Sequence, residues 1–119
     1  GFRRGICYPY HPFNFNSGEF AGLLEIPPIM MDYSLLLDGQ SNNERMKAFK
    51  KRAISIKEKK GLFVIDWHSD SLSNGYMDNM TGSLLDEIEK ISEDESCWLT
   101  SLSEIANWCD NIRWTSAGD

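Results

Sequence analysis

One junction constrains the fold more than any other stretch. Ser41-Asn42-Asn43-Glu44 reads as a capping box, a Ser hydroxyl for one orphan helix N–H and a Glu three residues on reaching back to another. Behind it Met46, Phe49, Ala53 and Ile56 recur at spacings of three and four, and lysines occupy the opposite face. Gly61, after Lys59 and Lys60, ends the pattern. With no loop between, "LFVIDW" (62–67) follows, an apolar run of the kind that is buried on both faces in a parallel sheet. A helix feeding directly into such a strand belongs to an α/β chain with right-handed crossovers.

The flanking segments extend this pattern. Pro9 and Pro12 interrupt "FRRGICYPYHPFNF", which predicts a short strand around Arg4 to Tyr8 running into an irregular loop. Residues 16–22 read as a turn. Pro28 excludes a helix in "LLEIPPIMMDYSLLL", so a strand is expected over about 29–32. A second helix runs from near Met77 or Thr81 to Ile91, with Leu84, Leu85, Ile88 and Ile91 inward. "CWLT" (97–100) reads as a fourth strand, and Ser101-Leu102-Ser103-Glu104 is a second capping box. It opens a last helix with Ile105, Trp108, Cys109 and Ile112 inward. The expected fold class is α/β, with about four mostly parallel strands and three helices, either an open sheet or part of a (β/α) barrel.

At 119 residues the chain has material for one domain with a modest core. It is 41% hydrophobic and 25% charged, which places it among globular rather than disordered sequences. Its net charge of -6 repels phosphate, so neither nucleic acid nor an anionic membrane is an expected partner. The lysine-rich face of the first helix (Lys47, Lys50, Lys51, Lys57, Lys59, Lys60) then reads as a solvated surface. No apolar run approaches the roughly 20 residues of a membrane span. Three cysteines without C-x-x-C spacing fit neither a zinc ribbon nor a disulfide framework, and imply reduced thiols in a cytoplasmic protein. The chain opens with Gly-Phe-Arg-Arg rather than Met, which points to a piece of something longer.

Chemistry is expected at strand ends, where α/β proteins gather their sites. The third strand runs into Asp66, Trp67 and His68, and the second ends at Asp32. Alternation along a strand puts Val64, Asp66 and His68 on one face and Trp67 on the other. A carboxylate that holds one imidazole nitrogen raises its basicity and leaves the other nitrogen to deliver a proton. Asp66 and His68 fit that pairing; they equally fit a turn-capping acid and a loop histidine.

Taken together, "GFRRGICYPYHPFNF", "LLEIPPIMMDYSLLL", "GLFVIDWHSDSL" and "CWLTSLSEIANW" resemble, in order and spacing, the C-terminal half of polysaccharide deacetylase-like domains of the glycoside hydrolase/deacetylase superfamily. The resemblance spans nearly all of residues 1–119 and implies part of a (β/α)7 barrel. It implies that His68 is the general acid toward a leaving amine, that Arg3 (or less well Arg4) orients a catalytic carboxylate, and that Asp32 lines the cleft. The Asp-Asp pair and His-x-x-x-His block that supply the family's base and metal ligands have no match here. A divalent, zinc-like metal would therefore belong to a full-length parent, with none bound by this chain alone, and the chain alone would not deacetylate. The expected partner is a carbohydrate, with Tyr8, Tyr10 and Trp67 as ring-stacking residues and Phe13, Phe15 and Tyr76 as further aromatics; packing is the plainer role for all of them. A part-barrel exposes two strand edges, so strand-edge association or a homo-oligomer is also expected. The alternative is a non-catalytic carbohydrate-binding or regulatory module.

Overall fold

A computed structural model describes residues 5–72 and 77–117. In chain order the elements are β1 (Phe13–Asn14), β2 (Glu19–Phe20), β3 (Met30–Met31), α1 (Asp32–Leu37), α2 (Asn42–Glu58), β4 (Ile65–Asp66), a 3-10 turn (Ser69–Leu72), α3 (Asp78–Ser92) and α4 (Leu102–Ala117). The strands form two separate two-stranded sheets: β1 and β2 are an antiparallel hairpin, β3 and β4 a parallel pair.

This overturns the expected part of a (β/α)7 barrel. The described residues form four helices and two very short ladders, one of them antiparallel, and no barrel closes among them. The reasons are local. Pro27 and Pro28 delay the second segment until Ile29, and a helix begins three residues later at Asp32, so only Met30 and Met31 are left to pair. Gly5 to Tyr8 join no ladder; the Cys7 carbonyl merely accepts a bond from the Leu62 N–H at 2.7 Å. Residues 97–100 form no strand either, and Trp98 and Leu99 stand exposed. Residues 13–20, read as loop and turn, form the hairpin instead, Phe13 facing Phe20 across it with ring centroids 5.1 Å apart.

The helices follow the sequence more closely. In α2 the Ser41 Oγ accepts from the Glu44 N–H at 3.2 Å and Glu44 Oε2 accepts from the Ser41 N–H at 3.2 Å, the reciprocal pair of a capping box. Ser101 and Glu104 repeat it at the start of α4. The end of α2 is a Schellman motif: the Lys60 N–H donates to the Lys57 carbonyl and the Gly61 N–H to that of Ile56, both at 2.9 Å. Its left-handed residue is Lys60, with φ of 51°, where glycine is usual. Gly61 answers a different need, because a Cβ there would sit 2.4 Å from Cys7 Sγ.

The main core gathers Met30, Leu35, Met46, Phe49, Met77, Met80 and Leu84. Phe63 lies stacked on Phe49 at 5.4 Å and also touches a second cluster of Cys7, Ile29 and Ile56, joining the two. The inward stripe of α3 runs through Met80, Leu84, Ile88 and Ile91, while Leu85 faces out. In α4 only Ile105 is buried among the expected inward set; Trp108 and Ile112 are exposed, so Trp108 does not pack a shell. Among the described residues no helix is long and apolar enough to cross a membrane.

Candidate active site

The parallel pair brings the expected ionisable residues together. Met30 is in register with Ile65 and Met31 with Asp66, so both strands end together and their next residues emerge side by side. On one side the next residue is Asp32, which opens α1. The Ser34 hydroxyl turns back to accept the Met31 N–H at 3.0 Å and donate to the Met31 carbonyl at 2.7 Å, fixing that turn. On the other side Trp67 and His68 lead into the 3-10 turn.

Asp32 is fully buried, and its carboxylate collects four donors. Oδ1 accepts from the Tyr33 N–H at 2.8 Å and from His68 Nδ1 at 2.8 Å. Oδ2 accepts from the His68 N–H at 3.0 Å and from the Ser71 hydroxyl at 2.5 Å. Burial alone would raise this carboxyl's pKa. The bonds from Ser71, from the His68 ring and backbone, and from Tyr33 outweigh burial and hold it at about 2, so it is an anion throughout the physiological range.

His68 responds in the opposite sense. Its pKa is raised, first by the bond to Asp32 and then by that residue's charge, against partial burial, with Asp66 and Asp70 adding through space. Contact with a carboxylate at Nδ1 puts the proton on that nitrogen and leaves Nε2 as the exchanging site. Almost half of the His68 side chain is open to solvent, and among the described residues Nε2 has no hydrogen-bond partner. The Tyr33 ring stands edge-on to the imidazole, centroids 5.8 Å apart, and is half exposed. An exposed imidazole clamped by a buried carboxylate has the geometry that general acid–base chemistry needs. It is not a nucleophilic Ser-His-Asp triad, since Ser71 bonds the carboxylate rather than Nε2.

The other expected residues are spread out. Asp66, the last residue of β4, is exposed and influences His68 only at a distance; the carboxylate that holds the ring is Asp32. Trp67 is half-buried against the core, and its indole N–H donates to Thr81 Oγ1 at 3.2 Å. Tyr8 is exposed and its hydroxyl donates to the Lys59 carbonyl. Tyr10 bridges to Glu25 through its backbone at 3.0 and 2.8 Å. Arg3, Arg4 and Tyr76 lie outside the described residues. Ser71 and Tyr33 were not picked out from the sequence, and neither sits in a spacing that would have marked it.

The described residues do not fit a metal: no group of three or more His, Cys, Asp or Glu side chains is arranged to hold one. The other histidine, His11, has its Nδ1 2.8 Å from the Leu23 carbonyl. A shallow cleft of about 260 Å³ between α2 and α3, lined by Asn42, Lys50, Ser83, Glu87 and Lys90 among others, lies apart from this network. There Lys50 and Lys90 both pair with Glu87, at 3.1 and 3.0 Å. Compared with known proteins, the chain matches no family model, no curated protein and no solved structure.

Proposed function

We propose that this chain supplies the acid–base residue of a carbohydrate N-deacetylase, with His68 as the general acid and Asp32 as the carboxylate that holds it. The observation that supports the reading is the Asp32–His68 pair, one partner wholly buried and the other open to solvent. In amide hydrolysis a base takes one proton from water as its oxygen adds to the acetyl carbon, the other proton staying on that oxygen. The C–N bond then breaks with its electron pair going to nitrogen. That nitrogen takes the Nε2 proton of the His68 imidazolium, leaving a free amine and acetic acid, which ionises to acetate in water. A proton donor whose pKa is raised by its bond to Asp32 and which is delivered from an exposed edge suits the last transfer. The half-exposed Tyr33 ring beside it is a surface on which a sugar ring can lie.

Among the described residues no group of three or more His, Cys, Asp or Glu side chains could hold the divalent metal of the deacetylase reading, so the reading requires other residues to supply the metal site and the base. The reading keeps the cytoplasm as its compartment, on the odd count of three cysteines. It also keeps self-association, now supported by exposed Trp98, Leu99, Leu102 and Trp108 rather than by strand edges. A clean monomer in sedimentation at high micromolar concentration counts against that part.

The test is amine release from an N-acetylglucosamine oligosaccharide by the intact gene product. His68→Ala should lower kcat by about 10²- to 10⁴-fold with KM little changed. A wild-type protein that binds the oligosaccharide but releases no amine, with binding indifferent to His68→Ala, would establish the binding-module alternative instead.

A further inference from the structure

We propose that Ser71 is a positioning residue for His68: its hydroxyl draws charge from Oδ2 of Asp32 and so limits how basic the imidazole on the other oxygen becomes. The inference rests on the general-acid reading of His68 but is tested separately from it.

Three observations carry it. Ser71 is buried, so its hydroxyl has no water to bond and donates to Asp32 Oδ2 at 2.5 Å. Its backbone is held from two sides, the N–H donating to the His68 carbonyl at 3.1 Å and the carbonyl accepting from Thr81 Oγ1 at 2.8 Å. Thr81 is itself held by the Trp67 indole at 3.2 Å, so a line of bonds runs from Trp67 through Thr81 and Ser71 to Asp32 and on to His68. The two backbone donors, Tyr33 N–H and His68 N–H, already fix the orientation of the carboxylate. The Ser71 hydroxyl is therefore left to act on its charge: a carboxylate that shares its electrons with one more donor attracts the imidazolium proton less. The other ionisable groups that bear on the ring are Asp66 from β4 and Asp70 from the 3-10 turn, with Tyr33 from α1 at its edge; Met77, just before α3, and Thr81, within it, touch Ser71 and carry no titrating group.

The experiment is an NMR titration of His68, one of two histidines in the chain, in wild type, Ser71→Ala, Ser71→Cys and Ser71→Thr. Ser71→Ala should raise the His68 midpoint by roughly half a pH unit, Ser71→Cys by less because a thiol is a weak donor, and Ser71→Thr should restore it. Ser71→Cys keeps the site filled if the alanine variant does not fold. A midpoint that stays put or falls in both Ser71→Ala and Ser71→Cys overturns the inference, and reduces Ser71 to a packing residue whose loss changes stability alone. In the intact gene product the alkaline limb of kcat should move with the titration. A titration that moves in a protein releasing no amine keeps the Ser71 inference and refutes the deacetylase reading.

Discussion

Replacing Asp32 with asparagine tests the centre of the structure in a single atom. The side chain keeps its shape, but the carboxylate has two acceptor ends and each faces two donors. Asparagine offers an acceptor at one end only. Whichever way its amide turns, the NH2 confronts either the Tyr33 N–H or the His68 N–H, and a backbone donor cannot rotate away. A buried donor left without a partner costs about 1–3 kcal/mol. A second route gives a similar figure. A carboxyl that titrates at about 2 when folded and at about 3.9 when unfolded contributes about 2.5 kcal/mol at neutral pH. Asp32→Asn should therefore lower the unfolding free energy by about 2–4 kcal/mol at pH 7, a large part of what a domain of this size possesses.

Urea unfolding at several pH values is the assay. Because the folded pKa of Asp32 is depressed, its stabilisation is complete above the unfolded value and is lost as pH falls through about 4 toward 2. The gap between wild type and variant should narrow over that window. In the same samples the His68 titration should drop toward its ordinary value, since the first two causes of its elevation are the bond to Asp32 and that residue's charge. The linkage sign for His68 is the reverse: its contribution is full below the unfolded pKa near 6.5 and fades as pH rises through the higher folded value. An Asp32→Asn protein within 0.5 kcal/mol (roughly the error of such extrapolations) of wild type, with His68 titrating unchanged, would refute the clamp.

Further expectations concern the fold around the site. Gly61→Ala puts a methyl 2.4 Å from Cys7 Sγ and 3.1 Å from the Cys7 carbonyl, and should cost about 1–3 kcal/mol in urea unfolding; Cys7→Ala in the same chain should recover part of it. Lys60→Gly relieves a left-handed lysine, worth about 1–2 kcal/mol, against about 0.5–1 kcal/mol of added chain entropy, so the midpoint should rise slightly. Phe49→Ala removes a fully buried ring and its stack on Phe63, and should cost about 3–5 kcal/mol.

The helices were legible because their signals are local. Both capping boxes form, and the stripe of α2 buries Met46, Phe49 and Ile56. Strands were less legible because a strand exists only where a neighbour pairs with it. "CWLT" has strand composition but meets no partner among the described residues, while Phe13–Asn14, between two prolines and a glycine turn, finds one in Glu19–Phe20. Composition also misplaced the inward face of α4, where Trp108 and Ile112 are apolar at helical spacing and yet exposed.

The site shows the same division at the level of single residues. His68 and Asp32 each stood out as ionisable groups at the end of an apolar run, but the short pattern Asp66-Trp67-His68 pairs the imidazole with the wrong acid. Alternation predicts Asp66 and His68 on one strand face, but β4 ends at Asp66, and alternation says nothing of what the next strand brings; Asp32 is 36 residues away. What decides the partner is register. With Met31 opposite Asp66, the following residue, Asp32, falls opposite Trp67 and one step from His68. The turn of α1 at that point sends its carboxylate under the imidazole, where it takes both the ring and the backbone N–H of His68. Two apolar runs that end in acids one register step apart in a parallel pair thus carry a signal that neither carries alone. Once the pairing is known, the neighbouring acid on the same strand is left to act through space, and the buried acid on the adjoining strand holds the ring.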